Sequence, residues 1–179
     1  MKIYAYILTF TAAFMSSLVT VHASNESQTL LEDALSAAPP TLRATVTVMD
    51  WDKNVLQKGT NNYTCFPTPS QLQGTAPMCL DATWLEWADA WTNKKPFEAK
   101  TIGISYMLAG DEGASNTDPY AEEKTADNQW IVEGPHVMII TPDAALLDSL
   151  PTDPSIGGPY VMWKGTPYVH VMVPIGARK

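Results

Sequence analysis

Residues 160–173 read Tyr160-Val-Met-Trp-Lys-Gly-Thr-Pro-Tyr-Val-His-Val-Met-Val173. Two runs rich in β-branched and aromatic residues, 160–163 and 168–173, flank the turn Lys164-Gly165-Thr166-Pro167, which is the pattern of an antiparallel hairpin. Its second run contains His170-Val171-Met172. The same tripeptide occurs upstream as His136-Val137-Met138, inside the strand-like run 136–141. Another run covers 101–108. Further back, the alternating stretch Ala44 to Asp50, the polar turn Asp50 to Asn54 and the run 55–58 read as a first hairpin, with 63–66 as a short extra strand.

Helical patterns fall between these runs. In 27–37, Leu30, Leu31, Ala34 and Leu35 form an apolar stripe, and Pro39-Pro40 ends it. The clearest helix is 81–95: Asp81 caps it, Lys94 and Lys95 suit its last turn, and Pro96 stops it. Trp84, Trp87, Ala88 and Trp91 share one face at helical spacing. That stripe reads as core or as a carbohydrate platform. Pro142-Asp143 opens a short helix to Leu150. The expected fold is α+β: a mostly antiparallel sheet with helices packed on one face, and one disulfide.

The chain begins Met1-Lys2, runs apolar from Ile3 to Val21 and reaches Val21-His22-Ala23 before Ser24. A short positive start, an apolar stretch and small residues at −3 and −1 make a cleavable secretory leader over residues 1–23. The remainder, 24–179, is the size of one α+β domain. No later apolar run is long enough to span a bilayer, so no stable membrane anchor is expected once the leader is removed. The formal net charge is −8, and loss of Lys2 makes it about one unit more negative. Such a surface repels phosphate backbones, which argues against nucleic-acid binding. The expected location is periplasmic or secreted. In such an oxidising compartment Cys65 and Cys79 read as a disulfide closing a Pro-rich loop.

Two histidines follow the leader, and strand parity puts each on the same face as the Met two residues on. Extending that parity, Ile102, Ile104, Tyr106 and Leu108 are expected to face the helices, with Ser105 and Met107 on the other side. One face then carries Val, Ile and Leu against the helices, and the other carries Met, His, Ser, Thr and Tyr. Imidazole and thioether are the ligands that suit Cu(I). If the two His-Val-Met strands pair, His136, Met138, His170 and Met172 form a candidate copper site. The same pattern also reads as packing, or as an apolar or aromatic ligand pocket.

A hydrolase is a further reading. Gly103-Ile104-Ser105-Tyr106-Met107 is half of a nucleophile elbow, with Met107 where the second Gly belongs, and Ser105 is its nucleophile. A structural or interaction protein without a small ligand is a third. The acidic stretch 110–128 reads as a functional or disordered loop whose carboxylates lack EF-hand spacing.

Four stretches carry a resemblance: 44–52 (Ala-Thr-Val-Thr-Val-Met-Asp-Trp-Asp), 76–87 (Ala-Pro-Met-Cys-Leu-Asp-Ala-Thr-Trp-Leu-Glu-Trp), 107–118 and 158–168. Together they resemble a group of small, uncharacterised exported bacterial proteins. The resemblance implies bacterial export and brings no activity, cofactor or site. Export is directly testable: mass spectrometry of chain secreted through a bacterial inner membrane should find Ser24 as the first residue, and an intact Met1 start would remove the leader reading.

Overall fold

The computed structural model describes residues 16–178. The expected leader therefore lies in large part outside the described residues. The helices are α1 Ser16–Ser36, α2 Ala82–Thr92 and α3 Ala144–Ser149. The first strands are β1 Thr47–Met49, β2 Val55–Gln57, β3 Thr64–Phe66 and β4 Met78–Leu80. They are followed by β5 Gly103–Met107, β6 Ala114–Ser115, β7 Trp130–Ile131 and β8 His136–Ile140. The last two are β9 Tyr160–Met162 and β10 His170–Pro174. Eight strands form one sheet in the order β2-β1-β3-β4-β5-β8-β10-β9, while β6 and β7 pair separately. All pairings in the large sheet are antiparallel except β1 with β3. The fold is α+β, with a mostly antiparallel sheet and one disulfide.

That disulfide joins Cys65 and Cys79, which face each other directly across β3 and β4. Both are fully buried beside Ala34, Val46 and Val48, under the C-terminal half of α1. α1 starts well before the expected 27–37. No Gly or Pro interrupts 16–36, so the helix runs without a break into residues 16–23 of the expected leader. Its packing residues Leu31, Ala34 and Leu35 all come from the expected stretch.

α2 lies on the opposite face. Cys79 pairs with Tyr106 and packs under α1, whereas Leu80 pairs with Ser105 and packs with Trp84 and Trp87 of α2. Successive residues point to opposite faces, so each long helix covers one face, at its own end of the sheet. Asp81 fixes α2 to the sheet. One carboxylate oxygen accepts from Trp84 N at 2.9 Å, capping the helix, and the other accepts from Ile104 N on β5 at 2.6 Å. α3 is capped in the same way by Asp143, which accepts from Ala145 N and Leu146 N. Among the described residues, no helix is long and apolar enough to cross a membrane.

Gly103 sets how closely α2 approaches. A Cβ there would meet Thr83 Cβ at 2.8 Å and Trp84 Cδ1 at 3.1 Å. Gly103→Ala should therefore destabilise the fold by about 1–3 kcal/mol through overpacking. Urea denaturation measures this, and an unchanged midpoint would show that α2 can retreat at no cost.

Candidate functional site

Under α2 the sheet presents three rows of side chains. The strand register places Met107 of β5, His136 of β8 and Pro174 of β10 in the first row. Ser105, Met138, Met172 and Tyr160 form the second. Gly103, Ile140, His170 and Met162 form the third. Met107, Met138, Met162 and Met172 are all buried, as are both histidines and Ser105.

The parity expected from the sequence holds across these strands, and the two His-Val-Met strands pair, Met138 directly against Met172. The cover matches the expectation for α1, which packs on the Val46 and Val48 side, and departs from it for α2. α2 lies on the Met/His side, while Ile104, Tyr106, Val137 and Ile139 of the other side are only half-buried. The reason is volume. Trp84 and Trp87 need a floor that is largely small or pliable, which Gly103, Ser105 and the methionines supply around the single β-branched Ile140. The tryptophan stripe is thus core: Trp84 and Trp87 are buried, and Trp91 is half-buried above them.

Both histidines share one local device. Nδ1 of His136 lies 2.8 Å from Gly134 O, and Nδ1 of His170 lies 2.9 Å from Tyr168 O. A carbonyl only accepts, so Nδ1 carries a hydrogen in both rings, and Nε2 is the nitrogen each ring turns to the layer. A backbone acceptor on one ring nitrogen is also how a metal-binding imidazole is oriented.

Their surroundings differ. His170 is held edge-on by Trp84, Trp87 and Trp163, with ring centroids 5.3, 5.6 and 5.1 Å away. Trp163 takes up a left-handed φ of 56° to reach it, a costly conformation for a bulky residue. It is secured by stacking on Trp87 at 5.6 Å and by hydrogen bonds from its Nε1 to Ser115 O and its N to Asn116 O. The acidic stretch 110–128 thereby becomes part of the cover. Trp91 Nε1 donates to Pro119 O, and the Tyr120 hydroxyl meets that of Tyr168 at 3.0 Å. Among the described residues, no group of three or more His, Cys, Asp or Glu side chains gathers as a metal site.

His136 sits at the polar end. Its Nε2 is fully buried without a hydrogen-bond partner, and Asp111 Oδ2 stands 4.0 Å away. Burial raises the Asp111 carboxyl above its ordinary pKa, opposed by His136. Asp111 Oδ1 accepts from Gly113 N and Glu133 N. Glu133, 1% exposed, accepts from the Tyr160 hydroxyl at 3.0 Å and is paired with Arg178.

The four expected ligands therefore divide. His136, Met138 and Met172 occupy adjacent rows, and the same parity brings Met107 beside His136. His170 lies two rows from His136, among indole rings. It belongs to the aromatic core, although His136 is near enough for its charge to contribute to the lowered His170 pKa. Ser105 Oγ is fully buried and has no hydrogen-bond partner, so neither histidine contacts it as a general base. Trp84 Nε1 is a further buried, unpartnered atom of this layer.

No protein-family model, curated protein or solved structure matches the chain.

Burial lowers the His170 pKa from 6.5 to about 4, against its bond to Tyr168 O. Between those values the unfolded chain binds more protons than the folded one. Stability therefore falls as pH drops from about 6.5 toward 4, by about 3 kcal/mol in all. Urea denaturation at pH 7 and pH 4 should show a smaller drop for His170→Leu than for the native chain. Equal drops would mean that His170 is protonated in the fold without penalty.

Proposed function

We propose that this chain is an exported module that binds Cu(I) in the layer beneath α2, with His136, Met107, Met138 and Met172 as the ligands. The observation that carries the reading is the His136 Nε2 atom, buried and without a hydrogen-bond partner on a face that carries four buried methionines, three of them in its own or the next row. A buried acceptor left unmet costs free energy, and a soft cation with thioether neighbours removes that cost. The ligand types select the ion. Three uncharged sulfurs and one neutral imidazole suit Cu(I), while Zn(II) favours thiolate and carboxylate partners, and Ca(II) and Mg(II) favour oxygen. The ring is already oriented by its Nδ1 bond to Gly134 O, so binding orders little more.

Export fits this chemistry. The Cys65–Cys79 disulfide belongs to an oxidising compartment, and a leader ending at Ala23 accounts for how the chain reaches the periplasm or medium. The same chain then serves as a carrier or store of the ion, with no reaction of its own required.

The test is a Cu(I) titration of chain 24–179 against a competing chelator. The native chain should bind one ion. His136→Ala should abolish binding, and Met138→Leu and Met172→Leu should each weaken it by roughly tenfold to a hundredfold, with circular dichroism confirming that each variant folds. His170→Leu should change the affinity little. Failure of the native chain to compete with the chelator would end the copper reading.

A further inference from the structure

The two ends of the buried layer are closed by different means. At the His170 end the cover is a stack of rings: Trp84, Trp87 and Trp163, with Trp91, Tyr120 and Tyr168 outside them. At the His136 end the cover is polar, and its outer part is the short segment 175–178 that follows β10. Ile175 N donates to Pro135 O at 2.9 Å. Gly134 has no room for a Cβ because Ala177 O occupies the place, and a Cβ on Gly176 would meet Pro135 Cδ at 2.9 Å. The glycines let the two segments lie directly on each other, and Gly134 is the residue whose carbonyl orients His136.

Arg178 then turns inward. Its Nε donates to Glu133 Oε1 and Oε2 at 3.0 and 3.1 Å, and its Nη2 donates to Oε1 at 2.9 Å. The pair is asymmetric: the Glu133 side chain is 1% exposed and that of Arg178 is 31% exposed. From outside, an open groove of about 450 Å³ is lined by Gly157, Gly158, Pro174, Ile175, Gly176 and Arg178. Behind the ion pair, the main chain of Glu133 bonds Asp111 in both directions, and Asp111 Oδ2 stands 4.0 Å from His136 Nε2. Arg178, Glu133, Asp111 and His136 thus form a chain of contacts from the groove to the buried His136 Nε2.

We infer that segment 175–178 is a gate over His136 and that the Arg178–Glu133 pair is its latch, an inference that rests on the Cu(I) reading for what passes through. When the pair breaks, the segment is held by the Ile175 bond, its contacts on Gly134 and Pro135, and the Arg178 guanidinium 5.9 Å from the centre of the Tyr160 ring, which is its contact with the sheet core and which Arg178→Ala also removes. The segment then swings out while α2 stays in place. With the latch open, the Glu133 carboxylate and then Asp111 are the acidic groups an incoming cation meets on this line. The other end has no equivalent, because opening it would separate the stacked indoles. A gate of this kind changes how fast the ion enters and leaves. It leaves the affinity alone, since the ligands are the same on both sides of the event.

The experiment uses Arg178→Ala and, as a variant that keeps the charge, Arg178→Lys. Diethyl pyrocarbonate, which acylates an accessible neutral imidazole nitrogen, reports access to each histidine by mass spectrometry without any metal. His136 should be labelled at least about tenfold faster in Arg178→Ala than in the native chain, since losing one member of a buried charged pair weakens closure by more than the 1.4 kcal/mol that a factor of ten requires. Arg178→Lys should fall between the two, and His170 should stay at its native rate. In stopped-flow transfer of Cu(I) from a chelator, uptake and release should both quicken by the same factor. Unchanged labelling of His136, or equal gains at His136 and His170, would overturn the gate. If no variant takes up Cu(I) but His136 labelling rises selectively, the copper reading falls and the latch over His136 stands.

Discussion

The packing of α2 against a floor of small and pliable side chains is the constraint on which the rest depends. Trp84 and Trp87 are among the largest buried groups in the chain, and each removes some 150–250 Å² from water, about 4–6 kcal/mol of transfer free energy. That gain requires the helix to sit low on the sheet. Gly103 and Ser105 provide the depth, and the methionines fill the irregular space left between indoles. Asp81 sets the position by bonding α2 and β5 with its two oxygens. A β-branched residue in any of these places would lift the helix and open the layer.

The same choice of floor has a chemical consequence. A floor of Met, Ser and His is soft, polarizable and partly polar, and it is then sealed. Among the described residues, three of the four buried side-chain polar atoms without partners lie in this layer: Trp84 Nε1, Ser105 Oγ and His136 Nε2. Packing alone gives no reason to keep an unmet imidazole nitrogen beside three thioethers, because a leucine would fill the volume without the polar cost. The two histidines show how local and tertiary effects separate. Each makes the same bond to the carbonyl two residues before it. One is then enclosed by indoles and kept neutral, and the other is placed under a carboxylate, a buried ion pair and a thin outer segment.

The acidic stretch 110–128 illustrates how a polar loop becomes structural. Its short strand β6 pairs with β7, Asn116 and Ser115 hold Trp163, and Tyr120 stacks on Trp91. Its acidic side chains remain mostly at the surface, while its backbone carbonyls and aromatic rings close the His170 end. Composition alone makes such a segment look like a solvated loop, since the groups that anchor it are main-chain atoms and single rings.

Much of the architecture was legible in the residues. The α2 stripe, its Asp81 cap, the Cys65–Cys79 pair, the β9–β10 hairpin and the alternation that unites Met107, His136, Met138, His170 and Met172 all follow from local rules of spacing, capping and pleat. These rules act within a few residues, so they survive without knowledge of the fold. Which face α2 would cover did not follow, because hydropathy favours the Val/Ile face and only the fit of indoles to small side chains reverses it. The antiparallel register decided the rest. It placed Met138 against Met172, set the two histidines two rows apart and brought Met107 beside His136. It also carried Arg178 back to Glu133, a contact between residues 45 apart in the chain. Alternation assigns a side to each residue, but the position of one strand along another is set by pairing partners distant in sequence, and only the tertiary structure contains them.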